Sequence, residues 1–78
     1  MVLKIEDKQE GTKVYIEGAK FVMRPPVQDL EPGGTLGKWY VPIHVFDCSG
    51  KLLYELTFCE GERYYLMEDG KTIDSFSL

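Results

Sequence analysis

No stretch of this chain restricts its fold more than Trp39 to Asp47. Read as a strand, Trp-Tyr-Val-Pro-Ile-His-Val-Phe-Asp places Trp39, Val41, Ile43 and Val45 on one face and Tyr40, His44 and Phe46 on the other. Side chains alternate across a strand, and an antiparallel sheet with one wet face shows polar residues at every second position. Here both faces are apolar. Something has to cover each of them.

The residues that follow arrange themselves around this strand. Asp47-Cys48-Ser49-Gly50-Lys51 and Met67-Glu68-Asp69-Gly70-Lys71 each read as a three-residue hairpin loop with a left-handed glycine at its last position, where a Cβ would clash. Glu60-Gly61-Glu62-Arg63 reads as a two-residue type II′ turn with glycine first. These turns set Asp47 opposite Lys51, Glu60 opposite Arg63 and Met67 opposite Lys71, so that 38–76 becomes a four-stranded meander. One face then collects Tyr40, His44, Phe46, Leu52, Tyr54, Leu56, Phe58, Tyr65, Met67 and Ile73, the expected core. The other holds Trp39, Val41, Ile43, Val45, Leu53, Tyr64 and Leu66, and turns polar at Glu55, Thr57, Thr72 and Asp74. Placing Val45 opposite Tyr54 instead would require a four-residue loop.

Upstream, Met1–Glu6 and Thr12–Glu17 alternate as short strands. Gly18 marks a bulge or bend before Phe21, Val22 and Met23 resume the apolar run. Arg24-Pro25-Pro26 stops that run, because proline donates nothing to a ladder. Residues 24–37 carry three prolines and three glycines, which predicts a long loop without regular structure. Loops of this length in so short a chain are more often functional than decorative.

The expected fold is therefore all-β: one domain over 1–78, with N-terminal strands in 1–23, a Pro/Gly-rich loop at 24–37 and the meander at 38–76. Six antiparallel strands would curl into a small barrel or a two-layer sandwich. At 78 residues and 44% hydrophobic content the chain carries enough apolar surface for one core and too much for a disordered segment. No run approaches a membrane span, and charges interrupt Met1–Glu6 too early for a signal-peptide core. Cys48 and Cys59 would lie at opposite ends of one strand, roughly 30 Å apart, beyond the reach of a disulfide. Free thiols in a cytoplasmic protein are the expectation.

Chemical signatures are weak throughout. His44 is the one histidine, and its mid-strand position between Ile43 and Val45 suits a core-edge or interface residue better than a general base. The spacing of His44, Cys48 and Cys59 lacks the close cysteine knuckle and fourth ligand of a structural zinc site, so no metal and no cofactor is expected. Gly34-Thr35-Leu36-Gly37-Lys38 has neither the spacing nor the following helix of a phosphate loop. Lys38-Trp39-Tyr40 and Arg63-Tyr64-Tyr65 set aromatics beside bases, as single-strand binders do. A net charge of −4 argues against nucleic acid as well as anionic membranes.

What stands out is surplus apolar surface. Large apolar side chains left over from one core mark contact sites, with aromatics as their usual anchors. The expected reading is a small acidic, non-enzymatic interaction module, an inhibitor or accessory protein acting on a larger partner. Its contact residues would be Trp39, Tyr64 and Leu66 near one end of the sheet, with Val27 and Leu30 of the loop. The alternative is a structural subunit that forms a homo-oligomer through the same apolar face. No motif identifies a family.

Overall fold

In the computed structural model, which describes all 78 residues, the chain forms eight strands and no helix. They are β1 (Val2–Asp7), β2 (Lys13–Glu17), β3 (Lys20–Met23), β4 (Val27–Leu30), β5 (Leu36–Phe46), β6 (Leu52–Cys59), β7 (Glu62–Glu68) and β8 (Lys71–Ser77). Two antiparallel sheets result, and no barrel closes. One runs β2-β1-β7-β8; in the other, β5 is central, with β6 along one side and β3 and β4 end to end along the other.

The expected six-stranded meander is corrected in three places. First, 24–37 is not a plain loop. Val27–Leu30 pairs with the early part of β5, which itself begins at Leu36, so the segment is mostly a hairpin. Second, β6 and β7 do not pair. The turn at Glu60-Gly61 carries the chain from one sheet to the other instead of closing a hairpin. Cys59 N–H donates to Glu62 Oε1 (2.6 Å) and Glu60 N–H to Trp39 O (3.0 Å), satisfying the backbone at this corner. Third, β1 takes the place beside β7 that β6 was expected to hold, pairing Leu3 with Leu66 and Ile5 with Tyr64.

The other corner lies at Gly18. Its N–H donates to Met1 O in the first sheet, and the N–H of Ala19 donates to Phe46 O in the second. The chain changes sheets within one residue. A Cβ on Gly18 would sit 2.5 Å from Val45 Cγ1 and 3.2 Å from Phe21 Cζ, so only glycine fits this approach.

Pro42 stands inside the central strand, which proline ordinarily avoids. Its carbonyl accepts from Arg24 N–H (2.9 Å), so its nitrogen faces the same edge, at the break between β3 and β4. The missing N–H falls where Pro25 and Pro26 interrupt the neighbouring ladder.

Two bulges decide which side chains are inside. The Asp47–Lys51 loop forms as expected, with Gly50 at φ 87° and Asp47 Oδ1 accepting from Ser49 and Lys51 N–H. Phe46 then pairs with Leu52, but Val45 pairs with Tyr54, because Leu53 bulges out. The register slips while the loop keeps its three residues. Without the slip, Glu55 and Thr57 would oppose the core face, and burying them unpaired is costly. With it, Leu56 and Phe58 take that face. In the last hairpin the loop has two residues, Asp69 (φ 51°) and Gly70 (φ 76°), the left-handed pair of a type I′ turn, and Glu68 opposes Lys71. Ile73 bulges, which brings Phe76 opposite Tyr64.

The core therefore inverts the expected faces. Its buried residues are Leu3, Ile5, Val41, Ile43, Val45, Phe58 and Tyr64. Of the face expected to be core, only Phe58 is buried; Tyr40, His44 and Phe46 point outward and Tyr54 and Ile73 are more than half exposed. Phe58, Tyr64 and Phe76 meet edge-on or tilted, with centroids 5.3 to 6.3 Å apart. Seven buried residues form a small core. The radius of gyration is 13.6 Å, against about 11.5 Å for a compact chain of this length. The accessible surface is 5385 Å², against roughly 4,900 Å² for its mass.

Candidate functional site

The β4–β5 hairpin stands apart from that core. Among the strands, β4 packs essentially against β5 alone, and the buried stretch of β5 starts only at Val41. Its tip is closed by Glu31 N–H donating to Thr35 O (2.7 Å) and Gly34 N–H to Glu31 O (3.1 Å). Gln28 Nε2 donates to Gly37 O (3.0 Å), and Trp39 N–H donates to Glu60 Oε2 (3.1 Å), tying the hairpin's base to the β6–β7 corner. The backbone is held. Its side chains are not.

Four large apolar residues of this hairpin lie in water: Val27 and Trp39 are 42% exposed, Leu36 63% and Leu30 73%. Val27 pairs with Tyr40 and thus shares the outward face of its sheet, which continues through Pro42 and Phe46 to Val22 on β3. Tyr40, Pro42, Phe46 and Val22 are half-buried on this outward face, with the polar pair His44 and Glu55 between them. The outward face of the other sheet differs. Lys4, Glu6, Lys13, Glu17 and Arg63 dominate it, with the Lys4 ammonium 4.3 Å from the ring centre of Tyr65.

Of the five residues expected to make contacts, the structure brings Trp39, Val27 and Leu30 together on one hairpin. Tyr64 and Leu66 lie on the other sheet, facing inward. Tyr64 is 7% exposed, and its hydroxyl donates to Asp74 Oδ2 (3.1 Å). Burial, then the hydrogen bond and charge of Asp74, push its phenol above the usual tyrosine range. Leu66 is half-buried beside Leu3. The single patch expected around Trp39, Tyr64 and Leu66 does not form, because β7 belongs with β1 and not with β6. Sequence reasoning missed Leu36, which it left in the loop, and the outward stripe of β5, which it assigned to the core. The apolar pairs Val27–Tyr40 and Leu30–Leu36 across Gly33-Gly34 were the available sign of a hairpin.

The remaining chemical groups do not converge. His44 Nε2 lies 3.1 Å from Glu55 Oε1 in a cross-strand pair on the outward face, with the carboxylate 67% exposed. Cys48 sits in the β5–β6 turn and Cys59 at the far end of β6, both free. No three His, Cys, Asp or Glu side chains cluster to hold a metal ion. No helix is long and apolar enough to cross a membrane. No family model, curated protein or solved structure matches this chain.

Proposed function

We propose that this chain is a non-enzymatic protein–protein interaction module, an inhibitor or accessory protein that docks on a larger partner through the β4–β5 hairpin. One observation carries the reading: Val27, Leu30, Leu36 and Trp39 crowd onto the outer part of that hairpin, residues 27–40, which holds none of the buried core. Four large apolar side chains on a well-bonded backbone waste no core energy in the free chain and lose water on contact with a complementary surface. Trp39 supplies the kind of aromatic anchor on which such contacts turn. The net charge of −4 favours a basic partner surface. Two free cysteines fit a reducing compartment such as the cytoplasm.

A second reading draws on the outward face of β5, where Tyr40, Pro42 and Phe46 run on from the hairpin with Val22 beside them. A structural homo-oligomer packed through that face would cover the same stripe. Paired substitutions test both. Leu30→Lys with Leu36→Lys should abolish capture of a partner from host lysate while the melting curve stays unchanged. Sedimentation velocity of the unmodified chain should give a monomer; a dimer dispersed by Phe46→Lys would favour the homo-oligomer instead.

A further inference from the structure

The sandwich is open along one seam, between the outer strands β2 of one sheet and β6 of the other. Tyr15, Ile16, Glu17, Tyr54, Glu55 and Leu56 line a groove of about 460 Å³ there. Hydrogen-bond alternation identifies which backbone groups face it. On β5, Trp39 O accepts from Glu60 and Asp47 N–H donates to Lys51 O, towards β6, whereas the carbonyls of Pro42 and Phe46 accept on the opposite side. Tyr54, Leu56 and Phe58 are thereby bonded to β5, and the N–H and C=O of Glu55 and Thr57 point out from the edge. On β2, Gly18 N–H donates to Met1 O and Thr12 O accepts from Asp7, so the backbone groups of Tyr15 and Glu17 point outward as well.

Side-chain alternation sorts the groove's walls in the same way. Towards the core lie Ile16 and Leu56, both packed against it, and Tyr54. Away from the core lie the carboxylates of Glu17 and Glu55. We propose that this seam receives one extended strand of a partner protein, hydrogen-bonded to the edge of β6, in which apolar residues alternate with Lys or Arg. The edge demands backbone groups in strand geometry, as in other β-augmented complexes. A strand seated there presents alternate side chains to Ile16, Tyr54 and Leu56 and the rest to the two carboxylates. Two copies joined edge to edge would instead bring Glu17 and Glu55 towards their own kind, each copy carrying a charge of −4. The site is separate from the hairpin and stands or falls without it.

Selection of a displayed library of ten-residue peptides on the immobilised full chain tests the proposal. Enriched peptides should alternate apolar and basic residues and shift the amide resonances of Tyr15, Glu17, Glu55 and Thr57. Thr57→Pro removes an outward N–H that no bond within the fold uses, and should weaken these peptides roughly tenfold. Glu17→Lys with Glu55→Lys should weaken them too, and should spare versions in which Ser replaces each basic residue. No enrichment, acidic or non-alternating winners, or shifts confined to 27–40 would overturn the seam site. Peptide-free dimerisation with shifts at the same four residues would overturn the choice of occupant. Peptide binding that survives Leu30→Lys with Leu36→Lys separates this site from the hairpin, so the two readings fail independently.

Discussion

Gly18, Asp47 and Asp69 show how single residues carry the geometry of this fold. Gly18→Ala must displace the γ-methyl of Val45, which is fully buried and branched, so it should cost about 1–3 kcal/mol. The double variant with Val45→Ala makes room for the new methyl, and a urea-melt cycle over the four proteins should return a coupling of opposite sign to the single losses. Asp69 sits at φ 51°, whereas Ser49 holds no left-handed position. Asp69→Ala should therefore destabilise by about 1 kcal/mol while Asp69→Gly is neutral, a contrast that a Ser49→Ala control should lack. Hydrogen bonds from Ser49 and Lys51 hold the Asp47 carboxyl below its usual range, and backbone N–H groups of Glu10 and Gln9 do the same for Asp7. A carboxyl lowered on folding stabilises the native state above its unfolded pKa, and that stabilisation disappears as pH falls through the folded value. Stability of the native chain should thus drop below about pH 4, and Asp47→Asn, which keeps an acceptor and loses the charge, should flatten the drop in melts recorded from pH 5 to pH 2.

At the scale of elements, the β4–β5 hairpin and the β5–β6 bulge play opposite parts. The outer part of the hairpin adds length to β5 without adding to the core, so replacing 30–37 with a two-residue Asn-Gly turn, which keeps Gln28 opposite Trp39, should leave the melting temperature within a few degrees, read by circular dichroism. A collapse of the fold would mean that the hairpin stabilises β5 as a strand, and the docking role would lose its main argument. The bulge is different. Deleting Leu53 would remove the bulged residue itself and leave Tyr54, Leu56 and Phe58 opposite Val45, Ile43 and Val41, with Glu55 and Thr57 still outside. That variant should fold with a melting temperature within a few degrees of the unmodified chain, because no polar side chain enters the core. Its collapse would show that the bulge is not the source of the slip.

For the whole molecule the controlling quantity is the thinness of the sandwich, 44 × 28 × 17 Å over its principal axes. Domains of this length hold on the order of 4–12 kcal/mol of stability, and a core of seven residues sets this one towards the lower figure. Phe58→Ala, which empties the centre of the aromatic cluster, costs about 3–5 kcal/mol. A large fraction of the variant, on the order of half, should be unfolded at 25 °C by near-ultraviolet circular dichroism. The unmodified chain should show a shallow urea slope, about 1 kcal/mol per molar, since it hides little surface on folding. A steep slope would indicate a larger core, supplied by association with a second chain.

The sequence alone determined the all-β class, the Asp47–Lys51 turn, the two-faced apolar character of 39–47 and the separation of Cys48 from Cys59. Each is a local property: alternation, glycine's access to positive φ and the rise of a strand are written within a few residues. That Val27, Leu30 and Trp39 stay outside the core was legible for the same reason. Only the tertiary structure decided which face of β5 is core, because that depends on slips of one residue at Leu53 and Ile73, and alternation reads the same before and after a slip. It also decided that β1 lies beside β7, a pairing across some sixty residues that leaves no local mark. With that choice Tyr64 and Leu66 moved inward, the outer stripe of Tyr40 and Phe46 moved to the surface, and the seam between β2 and β6 was left unpaired. Long-range pairing is settled by which arrangement hides Leu3, Ile5 and Phe58 together, and no single stretch of this chain contains that information.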